Sequence, residues 1–357
     1  MEKTSVLNKS FFKGKRVFVT GHTGFKGAWL TQILHELGAK TRGYSLAPEQ
    51  NCLFEKIGGA NIVDHIEGDV RDCHKLADAL VSFEPEIVLH FAARAIVQDC
   101  FDEPHYAYET NVMGTVNLFE AIRKCKSVKS VLIVTTDKVY ENKGDGAIYK
   151  VGDPLGGIDP YSASKTCMEF IADSYKNSYL QTENRKVGVT TVRASNVIAG
   201  GDHVQSRLIP SILHGFASGK PVELRNPAQT RPWQSALDAM NGYLSIARKA
   251  YDEPEVFSGA WNIGPTKEGI CPVGTVFEKM RSYFDSSESF ETVEKFKVKE
   301  SQTLGLDIEA SVKKLAWSPE QSLDKMLYDV TDYFKRQSQG ESESEICSRQ
   351  IREFFAM

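Results

Sequence analysis

The chain has 357 residues, 41% of them hydrophobic and 25% charged, an ordinary globular composition with the length for a large core or two domains. Its 43 basic and 47 acidic residues leave a net charge of -4, which argues against nucleic acid or an anionic membrane as partner, so any bound anion is held locally. Seven cysteines without a CxxC pair and eight histidines standing singly argue against a disulfide framework and a metal site; a reduced, cytoplasmic, metal-free protein is expected.

In chain order, the first fifteen residues carry Lys3, Lys9, Lys13 and Lys15 without an apolar segment between them, unlike a signal peptide. No stretch approaches the ~18 apolar residues of a membrane span, so no membrane partner is expected. From Arg16 a β-rich run, Val17 to Thr20, meets a glycine-rich turn, Gly21 to Gly27, and then Trp29, Leu30, Ile33, Leu34 and Leu37 at helical spacing. Further strands are predicted at Lys40 to Ser45, Ile62 to Glu67, Ile87 to Phe91, Ser130 to Thr135 and Val187 to Arg193, with helical patterns between them. Such β-α alternation predicts an α/β fold, a doubly wound parallel sheet with helices on both faces.

After Arg193 the turn Ala199-Gly200-Gly201-Asp202 and then Pro210, Pro221, Pro227 and Pro232 end the regular crossovers. The sheet domain is read as 1-193 plus 235-264, regaining a strand around Trp261 to Ile263. A smaller C-terminal substrate-binding α/β domain is read as 194-234 plus 265-336. Gln337 to Ser348 is almost wholly polar, the composition of a mobile segment, so 337-357 is read as a polar C-terminal tail in which Ile351, Phe354 and Phe355, after that stretch, are able to dock.

Gly21-His22-Thr23-Gly24-Phe25-Lys26-Gly27 sits between a strand and a helix, the context in which a glycine turn lets a pyrophosphate approach the backbone and the helix N-terminus. His22 is expected to pack near that pyrophosphate. At the end of the second strand, Arg42-Gly43-Tyr44-Ser45-Leu46 lacks the acid that marks NAD; Arg42 is either a 2'-phosphate partner or a solvated charge, so NAD and NADP both stay open. Gly68-Asp69-Val70 and Phe91-Ala92-Ala93 follow later strands in the order a dinucleotide site requires, although Asp69 alone also reads as a helix N-cap.

Tyr161 and Lys165 stand four residues apart, on one face of the helix that Asp159-Pro160 introduces. A neighbouring ammonium and a cationic nicotinamide favour the phenolate, which then moves the proton of a hydroxyl during hydride transfer. Thr135-Thr136-Asp137-Lys138 closes the fifth strand, at the sheet end where ligands gather.

In this order, GHTGFKG, TTDKVYEN, DPLGGIDPYSASK, RASNVIAGGD and LRNPAQTRPWQ resemble the extended short-chain dehydrogenase/reductases. Among these the chain is most similar to nucleotide-sugar 4,6-dehydratases of the CDP-glucose branch, over roughly Phe12 to Arg336. The resemblance implies a Rossmann domain holding NAD(H), a nucleotide diphosphate sugar as substrate with CDP-glucose favoured, and a homodimer built from Rossmann helices. It implies that Tyr161 takes the 4-hydroxyl proton as hydride leaves C4, that an acid and a base remove water across C5 and C6, and that the hydride returns to C6. Asp137 is then the acid at the 6-hydroxyl. Lys138, standing where many relatives have Glu, is either the C5 base or a structural cation paired with Asp137 or the diphosphate. Arg94, Asn196, Arg207, Leu208, Arg225 and Arg231 are implied in substrate binding, and Thr135 beside the cofactor. Departures at Arg94 to Gln98, Cys100-Phe101, Ala147 to Lys150 and Ser235-Ala236 imply a different hexose, a longer sugar or a different nucleotide. A 4-epimerase or 4-ketoreductase is the alternative, since it needs only the Tyr161/Lys165 pair.

Overall fold

The computed structural model describes residues 9-144, 146-293 and 305-357; Lys3 of the amino-terminal stretch lies outside them. Seven strands form the main sheet: β1 (Arg16–Thr20), β2 (Lys40–Ser45), β3 (Asp64–Glu67), β4 (Ile87–His90), β5 (Ser130–Val134), β6 (Gly188–Ala194) and β7 (Gly259–Ile263). They lie in the order β7-β6-β5-β4-β1-β2-β3, and every pairing is parallel. The strand order reverses between β1 and β4, the switch point at which doubly wound sheets bind their ligands. The third strand is shorter than predicted, because Gly59–Ile62 forms a helical turn before it.

Alternation along the strands divides the core. Val17 and Val19 of β1 point into one apolar cluster with the helices Phe25–Glu36 and Ala236–Asp252, while Phe18 points into the other with Cys73–Phe83, Gly114–Lys124 and Pro160–Tyr175. Both faces are covered, which is why these strands read as apolar runs. A third cluster gathers Ile209, Ile212, Leu213, Phe216, Trp233, Phe277, Met326 and Leu327 beside a small sheet of Asn196–Ile198, Thr230–Ser235 and Ile270–Pro272.

Two assignments are corrected. Gln337 to Ser348 is not a mobile segment: it runs from the end of the helix Leu323–Ser338 into the helix Glu343–Phe355, whose Ile346 and Cys347 are buried in the main core together with Ile351 and Phe355. Their spacing makes one apolar stripe, hidden in the sequence by a polar face that meets water. Within the stretch given to the substrate domain, Leu315 and Trp317 also join the main core, with Trp317 Nε1 donating to Asp238 O at 3.2 Å.

Candidate active site

The glycine turn is close-packed. A Cβ on Gly21, whose φ is +71°, would stand 2.5 Å from Ala92 N; one on Gly27 would stand 2.2 Å from Gly21 O. Only glycine allows the β1 and β4 ends to approach like this. Gly24 caps the following helix with no side-chain hydrogen bond and no acid stands in its first turn, so backbone N–H groups and a positive dipole end are left for an anion. Thr23 Oγ1 lies 2.7 Å from Ser45 Oγ and 3.3 Å from Leu46 O, joining the turn to the end of β2, where Leu46 is exposed. Phe91, Ala92 and Ala93 are half-buried at the end of β4, and Ala92 N donates to Thr20 Oγ1. Asp69 is not a cap: Asp72 caps the next helix, while the Asp69 carboxylate binds Arg71. Tyr44 Oη donates to Asp69 O, and Val70 is buried against Gly114. These features fit a dinucleotide.

His22 behaves differently from expectation. Its ring turns away from the loop and lies over Gly43, edge-on to Phe54, with Nε2 2.7 Å from His65 Nδ1. Burial and the facing imidazole push its pKa down to about 3, so a neutral ring packs there. Arg42 is no candidate for a 2'-phosphate: it sits three residues before the end of β2 and is held by Asp64, Ala79 O, Ser82 and the Phe83 ring.

Asp159 and Ser162 form a reciprocal cap with Pro160 in the first turn of Pro160–Tyr175, which fixes where Tyr161 enters the site. Lys165 is buried and its Nζ donates to Val134 O at 2.9 Å. Thr136 Oγ1 donates to Asp137 Oδ1 at 3.0 Å, and Lys138 Nζ lies 5.9 Å from the centre of the Tyr161 ring. The end of β5 is therefore beside the tyrosine. Burial pushes the Tyr161 phenol well above its ordinary range, with contact from the Thr136 hydroxyl pulling the other way. Burial also lowers Lys165 to about 7 and, with Arg207 adding to it, Lys26 to about 8. In the chain alone desolvation outweighs the expected help of the lysine to the phenolate. Asp137 is raised by the same burial, opposed by Lys138, Thr136, Lys26 and Arg231.

The remaining candidates spread around this centre. Arg207 precedes the helix Leu208–Ser218, and its Nη1 donates to both carboxylate oxygens of Asp202 at 3.0 Å. Leu208 begins that helix, and Asn196 begins the strand beside Trp233. Arg231, on Thr230–Ser235, is near enough to act on Asp137, whereas Arg225 is exposed just after Val222–Leu224. Arg94 is engaged within its own segment, with Glu103 at 3.0 Å and Asp99 at 3.4 Å.

Sequence reasoning missed two groups. Asn111, fully buried in the π-helical turn Glu109–Met113, accepts from Arg94 N and donates to Arg94 O and Ser164 Oγ, tying the β4 loop to the catalytic helix. Glu169 and Arg193 form a buried ion pair behind Thr135; the place of Glu169 four residues after Lys165 is the only sequence signal. Thr135 thus spends its hydroxyl on Glu169 and Val192 O instead of on the cofactor side.

A glycine-cradled anion site at the switch point of a parallel sheet, with a Tyr and a Lys on one helix beside it, defines an NAD-linked enzyme of the extended short-chain dehydrogenase/reductase class. The chain belongs to the NAD dependent epimerase/dehydratase family, whose model matches residues 17–264. It is 39% identical over 356 residues to the CDP-glucose 4,6-dehydratase of Salmonella typhimurium, covering 98% of this chain and 99% of the relative. It is 28% identical over 247 residues to a dTDP-glucose 4,6-dehydratase of Xanthomonas campestris, covering 65% and 67%. Among solved structures, the dTDP-glucose 4,6-dehydratase of Bacillus anthracis in complex with NAD superposes with a TM-score of 0.76 at 21% identity, covering 91% and 98%. The UDP-glucose 4-epimerase of Thermotoga maritima gives 0.78 at 19%, covering 90% and 99%, a likeness of fold.

Proposed function

We propose that the chain is an NAD-dependent nucleotide-sugar 4,6-dehydratase, with a CDP-linked hexose as the favoured substrate. The observation that carries this reading is Asp137: a buried carboxyl at the end of β5, bonded to Thr136 and beside Tyr161 and Lys138. An epimerase or ketoreductase has no use for an acid there, and a dehydratase needs one. The likeness to the Salmonella CDP-glucose 4,6-dehydratase over 98% of the chain supports the same reading.

Gly21, Thr23, Gly24, Phe25, Lys26 and Gly27 would hold NAD with Ser45, Leu46, Asp69, Val70 and Phe91 to Ala93. NAD bound there would supply the acceptor for hydride from C4 and the donor that returns it to C6. Tyr161 accepts the 4-hydroxyl proton, Thr136 orients that hydroxyl, and Lys165 supplies positive charge behind the phenol. The ketone so formed makes the C5 proton acidic. Lys138 removes it and returns it to C5 when hydride reaches C6, while Asp137, whose protonated form burial favours, hands its proton to the 6-hydroxyl, which departs as water. Arg207, Arg225 and Arg231, with Asn196, grip the nucleotide diphosphate, for which guanidinium forks suit phosphate oxygens, and Leu208 and Arg94 belong to the same substrate site.

We further read the protein as a cytoplasmic homodimer that makes a deoxysugar for surface glycans. Phe170 on the catalytic helix, 60% exposed, supports a helix-mediated dimer; among the described residues no helix is long and apolar enough to cross a membrane.

The deciding experiment incubates the purified protein with NAD and, separately, CDP-glucose, dTDP-glucose, UDP-glucose and GDP-mannose, following product mass and NADH absorbance. Loss of one water from one sugar without net NADH is expected. An unchanged mass with an inverted stereocentre would establish the epimerase instead.

A further inference from the structure

The catalytic helix is tied to the sheet by more than Lys165. One turn on, Glu169 is buried with every acceptor direction filled: Oε1 accepts from Thr135 Oγ1 at 2.6 Å and Arg193 Nε at 3.1 Å. Oε2 accepts from Thr191 Oγ1 at 2.5 Å and from the Arg193 fork at 3.1 Å. Arg193 is itself stacked on the Tyr140 ring at 4.7 Å, and Tyr140 Oη donates to Asn262 Oδ1 on β7. Glu169 and Arg193 have side chains only 5% and 6% exposed.

Such a pair is poor value as a stabiliser, because well-packed apolar residues of similar size usually hold a fold equally well. What it provides is register. Thr135 is the residue between Val134, whose carbonyl takes the Lys165 ammonium, and Thr136, which contacts Asp137 and Tyr161. Two adjacent residues at the end of β5 are thus bound by two side chains one helical turn apart, both on the helix that carries Tyr161.

We propose that Glu169, clamped by Arg193, is a positioning residue: through Thr135 it fixes the end of β5, and so Thr136 and Asp137, against the helix bearing Tyr161 and Lys165. It deepens the dehydratase reading and rests on it. The negative charge also opposes the loss of the Lys165 proton that burial favours.

Thr135→Val and Thr191→Val each delete one hydroxyl from the same carboxylate, but only Thr135 adjoins the catalytic residues. With CDP-glucose, Thr135→Val is expected to lower kcat about 10- to 100-fold with KM and NAD affinity unchanged, as for a small misplacement of reacting groups. Thr191→Val is expected to keep kcat within about twofold while losing a similar amount of thermal stability. Thr135→Ser, which keeps the hydroxyl, should restore turnover, and Thr135→Ala serves if the valine variant does not fold. Equal kcat in the two valine variants, or a loss that tracks melting temperature, overturns the proposal.

A second readout needs no sugar. Ultraviolet difference titration of the NAD+-loaded protein, in which the cationic nicotinamide favours the phenolate, follows the Tyr161 phenol once the same curve from Tyr161→Phe is subtracted; it should shift upward in Thr135→Val and not in Thr191→Val. No shift overturns the positioning role. A shift in a protein whose wild type turns over none of the four sugars would overturn the assigned reaction and leave the clamp standing.

Discussion

His22 and Gly43 meet across the first two strands: a Cβ on Gly43 would lie 2.4 Å from the His22 ring. The ring is fully buried, so it cannot swing into solvent to make room. The backbone of His22 is part of the glycine turn, and it stands so close to Gly27 that a Cβ there would lie 2.6 Å from His22 Cα. Gly43→Ala is therefore expected to displace the turn as well as the ring, costing about 1–3 kcal/mol as overpacked sites do. Chemical denaturation measures the loss, and NAD affinity should fall in the same variant. Unchanged affinity with reduced stability would mean that the ring and the turn move independently.

Asp137→Asn separates the dehydratase from enzymes that need only Tyr161 and Lys165. The amide keeps the shape and the contact with Thr136 but has no proton to give. Water loss is expected to fall roughly 10²–10⁴-fold, the range for a missing general acid, with KM nearly constant. Product mass follows it directly. Water loss at the wild-type rate would remove Asp137 from the mechanism.

His90 predicts the acid limit of the fold. Its ring is buried between Thr20 Oγ1 at 2.7 Å and Thr115 Oγ1 at 3.2 Å, and burial, then Lys165, hold its pKa at about 3. This lies below the ordinary 6.5, so the unfolded chain binds the proton first. The stabilisation is whole above the unfolded value and is lost as pH falls from 6.5 towards 3. His22 acts with the same sign over the same window. Denaturant melts from neutral pH downwards should show a shallower fall in stability for His90→Gln than for the wild type, each measured against the opposite contribution of Asp238, whose carboxyl is raised to about 7 by burial. An unaltered slope would mean that other groups take up the acid-unfolding protons.

The sheet was legible because strands buried on both faces are apolar along most of their length, as Val17 to Val19 and Val131 to Val134 are. The glycine turn and the Tyr161/Lys165 pair were legible because their chemistry fixes their spacing. Contacts that depend on the third dimension were not. Nothing local to Glu169 or Arg193 says that they pair behind Thr135, or that the Thr135 hydroxyl points to them. Nor does Arg42 look different from a phosphate ligand until β3 brings Asp64 alongside it.

The carboxy-terminal helix was hidden for another reason. In Glu343–Phe355 the residues that pack inward are scattered among charges: Ile346, Cys347, Ile351 and Phe355 are buried while Arg352 reaches Glu36 on the opposing helix Phe25–Glu36. Composition therefore reads as a tail and periodicity as a docked helix, and the two make opposite predictions for Phe355, which is 1% exposed. In a tail, Phe355→Ala costs nothing. Packed in the main core, it should cost about 3–5 kcal/mol, the range for deleting a buried aromatic ring. Because the apolar stripe contacts the helix that follows the glycine turn, NAD should protect the variant from thermal unfolding less than it protects the wild type. Thermal melts with and without NAD test both effects, and a wild-type melting temperature in the variant would return the segment to solvent.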